Sequence, residues 1–161
     1  MAFQGGETFD NYLSSFEQLE TLRVRCYSGG KDSNWGNTQA KSIENFTKLT
    51  YLELAYFNNL TDFSFLKNLK NLRQVDIFYT GLSDLSFISF LPNLETLYVY
   101  NNSSLALETF DLDGKTVNTL DLLYDAFANN LRNVNISGCG IKKEDVEEHE
   151  IKKLAWEYFK Y

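Results

Sequence analysis

A six-residue pattern, apolar at its first, fourth and sixth places and mainly polar between them, runs through the chain six times: LETLRV, LTYLEL, LRQVDI, LETLYV, VNTLDL and LRNVNI. The copies begin at Leu19, Leu49, Leu72, Leu94, Val117 and Leu131, at spacings of 30, 23, 22, 23 and 14 residues. Alternation at the fourth and sixth places is the signal of a half-buried strand. Its return at a nearly fixed period is the mark of a solenoid, in which each coil supplies one strand and a return path. One coil cannot bury its own apolar face, so the fold holds only as a stack with a shared core.

The return paths repeat as well. After LTYLEL comes AYFNNLTDFSFLKNL, and after LRQVDI comes FYTGLSDLSFISFL. Leu60, Phe63, Leu66 and Leu69 in one, and Leu82, Leu85, Ile88 and Leu91 in the other, recur every three residues. That spacing suits a short 3₁₀ turn dropping an apolar side chain into the core at each step. Asp62 and Asp84, each two residues before a serine, are placed to accept nearby backbone N–H groups and fix these turns.

The chain reads as one domain over 1–161, with a cap over 1–18, repeats over 19–141 and a second cap over 142–161. Phe9, Tyr12, Leu13 and Phe16 have helical spacing and predict a helix covering the first coil. Lys143 to Phe159 carries Val146, Ile151, Leu154, Ala155, Tyr158 and Phe159 on one side, which predicts an amphipathic helix closing the last. The polar, Gly-rich stretch 27–38, YSGGKDSNWGNT, lengthens the first spacing and reads as a loop inserted just after the first strand, either a contributor to a binding face or a loop without function. The 14-residue last spacing leaves eight residues between LDL and LRN. Either the solenoid narrows there or Val117 to Leu122 is not a regular repeat strand.

These motifs resemble the short leucine-rich repeat class of about 22 residues found in internalins and in phosphatase regulators, with its LxxLxLxxNxLxDIxxLxxL pattern. The resemblance is close over residues 46–102 and looser from Leu19 to Ile136. It implies an α/β solenoid: a right-handed leucine-rich repeat array with a parallel concave sheet, five or six coils, capped at both ends. It also implies protein recognition as the mode of action. The asparagine that follows the strand in that pattern is present as Asn102, but Phe57, Thr80, Asp125 and Cys139 take its place elsewhere, so an asparagine ladder at that position is not expected to be continuous.

With the first, fourth and sixth residues inward, the third, fifth, seventh and eighth face outward. Tyr51, Tyr56, Phe78, Tyr79, Tyr98, Tyr100 and Tyr124 then share one surface with Glu53, Asp76 and Asp121. Tyrosine offers a large rigid contact area with a polar tip at little entropy cost. An acidic column beside the rings would attract lysine or arginine from a partner. The competing reading is that aromatic residues favour strands and pack across the ladder.

Composition narrows the partner. A net charge of −7 repels nucleic acid and anionic membranes, leaving a protein with a basic contact surface as the expected partner. No stretch approaches the ~20 apolar residues of a membrane span, and MAFQGGETFD lacks a secretory signal, so a cytoplasmic monomer is expected. One histidine and two distant cysteines, Cys26 and Cys139, do not make a zinc site, and no cofactor is expected. His149, in a highly charged segment, reads as solvated.

The function these features favour is a non-enzymatic protein-binding module. An alternative is a small acidic inhibitor, such as an immunity protein neutralising a toxin enzyme. A third is a carbohydrate-binding or glycosidase-like protein, with Glu53 and Asp76 near the ~5 Å separation of a retaining pair. An open sheet offers that chemistry no deep, water-excluding pocket.

Overall fold

The computed structural model describes residues 16, 18–26, 35–112, 114–153 and 159–160. Five of the six motif copies supply neighbouring parallel strands: β1 (Thr21–Arg25), β2 (Tyr51–Phe57), β3 (Gln74–Thr80), β4 (Thr96–Tyr98) and, after an excursion, β7 (Asn133–Asn135). The register aligns the same motif position in every strand. Leu52 faces Val75, Val75 faces Leu97, and Leu97 faces Val134. The first, fourth and sixth positions are inward as expected, with Leu49, Leu52, Leu54, Leu72, Val75, Ile77, Leu97 and Val99 all fully buried.

The return paths are 3₁₀ turns, Ser64–Asn68 and Ser86–Phe90, and Leu60, Phe63, Leu66, Leu69, Leu82, Leu85, Ile88 and Leu91 enter the core from them. Asp62 Oδ1 accepts the N–H of Ser64 at 2.9 Å, and Asp84 Oδ1 accepts that of Ser86 at 2.8 Å, as the sequence predicts. Gly81 permits a close approach: a Cβ there would lie 2.6 Å from Thr61 Cγ2 and 3.0 Å from the Leu60 carbonyl oxygen.

A continuous asparagine ladder does exist, but it stands before the strands rather than after them. Asn71 Nδ2 donates to the Thr47 carbonyl at 2.8 Å, Asn93 to that of Lys70 at 3.0 Å, and Asn130 to that of Pro92 at 2.6 Å. Each asparagine directly precedes a motif leucine and ties its coil to the one before. After the strands, the column Phe57, Thr80, Asn102, Cys139 has one rung with every polar site filled. Asn102 is fully buried; its Oδ1 accepts the Thr80 N–H and hydroxyl, each at 2.9 Å, and its Nδ2 donates to the carbonyls of Ile77 and Val99 at 2.7 and 2.6 Å. The Cys139 thiol is 3.1 Å from the same Val99 carbonyl.

VNTLDL is not a repeat strand, which resolves the short last spacing. Val117 lies in β6 (Lys115–Asn118), antiparallel to β5 (Thr109–Leu112), and Leu120 and Leu122 lie on helix α2 (Thr119–Ala128); helix α1 is the earlier turn Asn37–Lys41. Asn118 caps α2, accepting the N–H groups of Leu120 and Asp121 at 2.8 and 2.9 Å while Asp121 Oδ2 accepts the Asn118 N–H at 2.7 Å. This reciprocal box fixes a helix start. Apolar residues three apart satisfy a helical turn as well as the strand motif, and that is why the pattern misleads here. The hairpin and α2 therefore occupy the return path between β4 and β7.

The predicted closing helix is also shorter than its pattern. Helix α3 spans Lys143–Glu148, a 3₁₀ turn covers Glu150–Lys153, and Phe159–Lys160 form β8, parallel to β7. His149 is extended at φ −91° and ψ 153°, and its Nδ1 accepts the Ile151 N–H at 3.0 Å. That local bond competes with continuation of the helix. The expected N-terminal helix lies outside the described residues apart from Phe16 and Gln18, as do residues 27–34 of the insertion. At the end of that insertion the Trp35 ring packs on Phe57, centroids 4.5 Å apart, and α1 begins at Asn37.

Asn93→Ala removes one exposed rung of the ladder and is expected to lower stability by about 1 kcal/mol. Asn102→Ala leaves the Thr80 N–H and two carbonyls without their partner and is expected to cost about 2–4 kcal/mol. Urea unfolding of the two variants beside wild type tests that order.

Candidate functional site

The solvent face of the sheet is built of columns, because the register places like positions side by side. One column runs Arg23, Glu53, Asp76, Tyr98, Asn135; the next runs Arg25, Ala55, Phe78, with Tyr100 following in the β4 coil. The structure thus brings together Tyr51, Glu53, Tyr56, Asp76, Phe78, Tyr79, Tyr98 and Tyr100 on β2, β3 and β4 and the residues just after them.

The acidic residues are not open to a partner. Glu53 is 2% exposed and Asp76 8%. Arg25 Nε donates to Glu53 Oε1, and Arg23 Nε lies 3.8 Å from Oε2. The Tyr51 hydroxyl lies 2.9 Å from Glu53 Oε2 and 2.8 Å from Asp76 Oδ2, and Gln74 Nε2 donates to both Asp76 oxygens at 3.0 and 3.2 Å. Parallel pairing sets two carboxylates on adjacent strands, and the environment separates their titrations. Burial raises both, but at Glu53 the bonds from Arg25 and Tyr51 and the two arginine charges prevail, and its pKa falls below 4.5. At Asp76 burial dominates; Gln74 and Tyr51 oppose it, the Glu53 charge adds to it, and the pKa rises above 3.8. Tyr51 is raised by burial and by its two acidic neighbours. A tyrosine has one proton to donate, so when Asp76 carries a proton the series Asp76 to Tyr51 to Glu53 is fully bonded.

The rings form a connected patch above this layer. Phe78 and Tyr100 stack at 4.8 Å and 8°, Tyr56 and Tyr79 at 5.0 Å and 11°, and Tyr56 meets Phe78 edge-on at 5.9 Å. Arg23 lies 4.8 Å over the Tyr51 ring, and Arg25 reaches across Ala55 to within 5.8 Å of the Phe78 ring centroid. Ala55 is fully buried beneath that bridge. Tyr56 and Tyr79 are the exposed members, at 38% and 44%, and both have left-handed backbones, φ 66° and 54°. A left-handed non-glycine residue costs about 1–2 kcal/mol. One stacked pair returns about 0.5–1.5 kcal/mol, less than two such residues cost.

Residues 47–89, which carry β2, β3 and the 3₁₀ turns between and after them, match a family model described as leucine-rich repeats in two copies. The chain thus carries two leucine-rich repeats over that stretch. No curated protein matches it. The matched repeats supply Tyr51, Glu53, Tyr56, Asp76, Phe78 and Tyr79, the centre of the patch.

Asp121 and Tyr124 do not share the repeat face. Both lie on α2, which packs against the 3₁₀ turn Ser86–Phe90 on the return-path side. Asp121 Oδ1 is 3.1 Å from His149 Nε2, and the Tyr124 ring meets the imidazole edge-on at 6.2 Å. Because His149 Nδ1 accepts from Ile151, the neutral ring donates through Nε2 to Asp121. His149 therefore joins α2 to the C-terminal segment and is not the solvated residue its charged context implies. Burial raises Asp121, but the Asn118 N–H and His149 outweigh it and hold its pKa below 3.8. Near α2 an open cavity of about 390 Å³ is lined by Ile88, Leu91, Leu122 and Asp125, without the ring cluster of the repeat face.

Arg23 and Arg25 hold the outward fifth and seventh places of the first motif copy, yet they are not among the candidate residues read from the sequence. Register was the available signal, since Arg23 aligns with Glu53 and Arg25 with Ala55. Among the described residues, no group of three or more His, Cys, Asp or Glu is placed to hold a metal.

Glu53→Gln removes the carboxylate charge to which Arg25, whose side chain is 41% exposed, donates, and is expected to cost about 1–2 kcal/mol after allowance for solvent screening. Asp76→Asn keeps an acceptor for Gln74, removes repulsion from Glu53, and is expected to cost less. Their pH dependences have opposite signs. Glu53, depressed when folded, stabilises fully above its ordinary 4.5, and that contribution is lost as pH falls through its folded value. Asp76, raised when folded, makes stability fall as pH rises from its ordinary 3.8 to its folded value. Urea midpoints between pH 3 and 7 should show Glu53→Gln removing the acid-side loss and Asp76→Asn removing the opposing slope.

Proposed function

We propose that this leucine-rich repeat chain is a protein-binding module that holds its partner on the solvent face of the sheet. Leucine-rich repeats typically mediate protein–protein interaction without catalysis. The observation that carries the reading is the connected ring patch of Tyr56, Tyr79, Phe78 and Tyr100, with its two strained tyrosines exposed. In this reading the coils form a right-handed solenoid, the handedness usual for connections between parallel strands, and the patch lies on its concave side.

The partner is a protein with a basic contact surface. A net charge of −7 steers it, and the rings, not the carboxylates, make the contact. Glu53 and Asp76 act from beneath, holding Arg23, Arg25 and Tyr51 in position. That arrangement argues against a glycosidase-like role, because each carboxylate oxygen is already engaged by Arg25, Arg23, Tyr51 or Gln74.

Capture from the native host's lysate, with captured proteins identified by mass spectrometry, tests the reading. A Tyr98→Ala, Tyr100→Ala double variant, shown by circular dichroism to be folded, is expected to lose a partner of basic isoelectric point that wild type retains. Equal capture by both proteins moves the site off this face.

A further inference from the structure

Four coils place a residue in the left-handed region at the same point of the repeat, seven residues after the motif's first: Tyr56 at φ 66° and Tyr79 at 54°, each next to last in its strand, and Asn101 at 58° and Gly138 at 71°, beyond theirs. The column is tightly built, since a Cβ on Gly138 would lie 2.4 Å from Asn101 Oδ1. Asparagine and glycine enter this region readily, whereas an aromatic residue does so only under strain. The later coils use the unstrained residues; the β2 and β3 coils use tyrosine instead. Burial does not account for that choice, because these are the exposed rings of the patch. Strain held at an exposed position points to a functional contact.

The same surface shows what its rings bind. Arg23 lies over Tyr51 and Arg25 over Phe78. Among the described residues, no lysine or arginine lies over Tyr56 or Tyr79, and the net charge of −7 favours a cation from outside. A guanidinium is planar, weakly hydrated and stacks on aromatic faces, which an ammonium does less well.

We infer that the stacked Tyr56–Tyr79 pair is the specificity-determining anchor of the face, holding an arginine side chain of the partner protein, and that the strained backbone is retained for this contact. The inference rests on the protein-binding reading above and names the chemistry that the partner brings.

Replacing both residues by asparagine, the choice of the following coil at this point, keeps the backbone and removes the rings. The Y56N/Y79N variant is expected to keep its circular dichroism spectrum and to unfold at the wild-type urea concentration or above it. Its affinity for an arginine-containing hexapeptide, followed by nuclear magnetic resonance titration, is expected to fall about tenfold or more. Wild type is expected to bind the matched lysine hexapeptide more weakly than the arginine one. A clear drop in the urea midpoint would show that the rings serve the fold, and it overturns the inference. So does equal binding of the arginine peptide by variant and wild type, or equal binding of the two peptides by wild type. Partner capture separates the two levels of argument. If Y56N/Y79N retains a partner that Y98A/Y100A loses, the face binds but not through this pair; if both retain it, the face reading fails too.

Discussion

Parallel pairing in register sets each residue of one coil beside the same position of the next, about 4.8 Å away, and everything else in this structure follows from that constraint. A column of leucines and valines gains from such stacking, and Leu52, Val75, Leu97 and Val134 form one. A column of polar groups must find partners within itself or from neighbouring columns. The asparagines before the strands solve this by reaching back one coil each, from Asn71 to Thr47, Asn93 to Lys70 and Asn130 to Pro92. Asn102 solves it in the buried column by filling all its donor and acceptor sites within two coils.

Charge is the harder case, and Glu53 beside Asp76 shows how it is met. Repetition puts the two carboxylates side by side, where mutual repulsion and burial oppose ionisation of both. The solution is asymmetric. The β1 end supplies two arginines, which reach Glu53 first, and Asp76 is left with Gln74 and a shared tyrosine hydroxyl. The arginine stems and guanidinium planes then cover ring faces while their charges are satisfied below. A face whose composition reads as acidic therefore presents rings and guanidinium planes to solvent.

Much of this was legible in the sequence, and the failures have physical causes. Strand positions, inward residues and the Asp62 and Asp84 turns followed from the repeat period. The ring patch on β2 to β4 followed from the same period. Val117 to Leu122 did not, because a strand motif with apolar residues three apart also fits a helical turn, while Asn118 and Asp121 three residues apart already form a helix-start signature. Reading that copy as a strand carried Asp121 and Tyr124 onto the wrong face. The burial of Glu53 was missed for a different reason: outward position was equated with exposure, although long neighbours such as Arg25 and Tyr51 close over a short column.

The patch has limits on both sides, and these set the scale of any contact. Toward β1 the columns change from rings to arginines, and beyond β4 the Tyr98 position becomes Asn135 and the left-handed position becomes Gly138. The aromatic zone thus spans three strands, roughly 10 Å between the outer two. A stable interface of ordinary size buries about 800 Å² on each partner, more than so narrow a zone supplies. The rings are therefore of the size of an energetic centre, around which a rim of polar neighbours excludes water. Arg23 and Asn135, at opposite ends of the column through Glu53, Asp76 and Tyr98, are placed to form that rim, so the face combines a small apolar centre with polar borders of different charge.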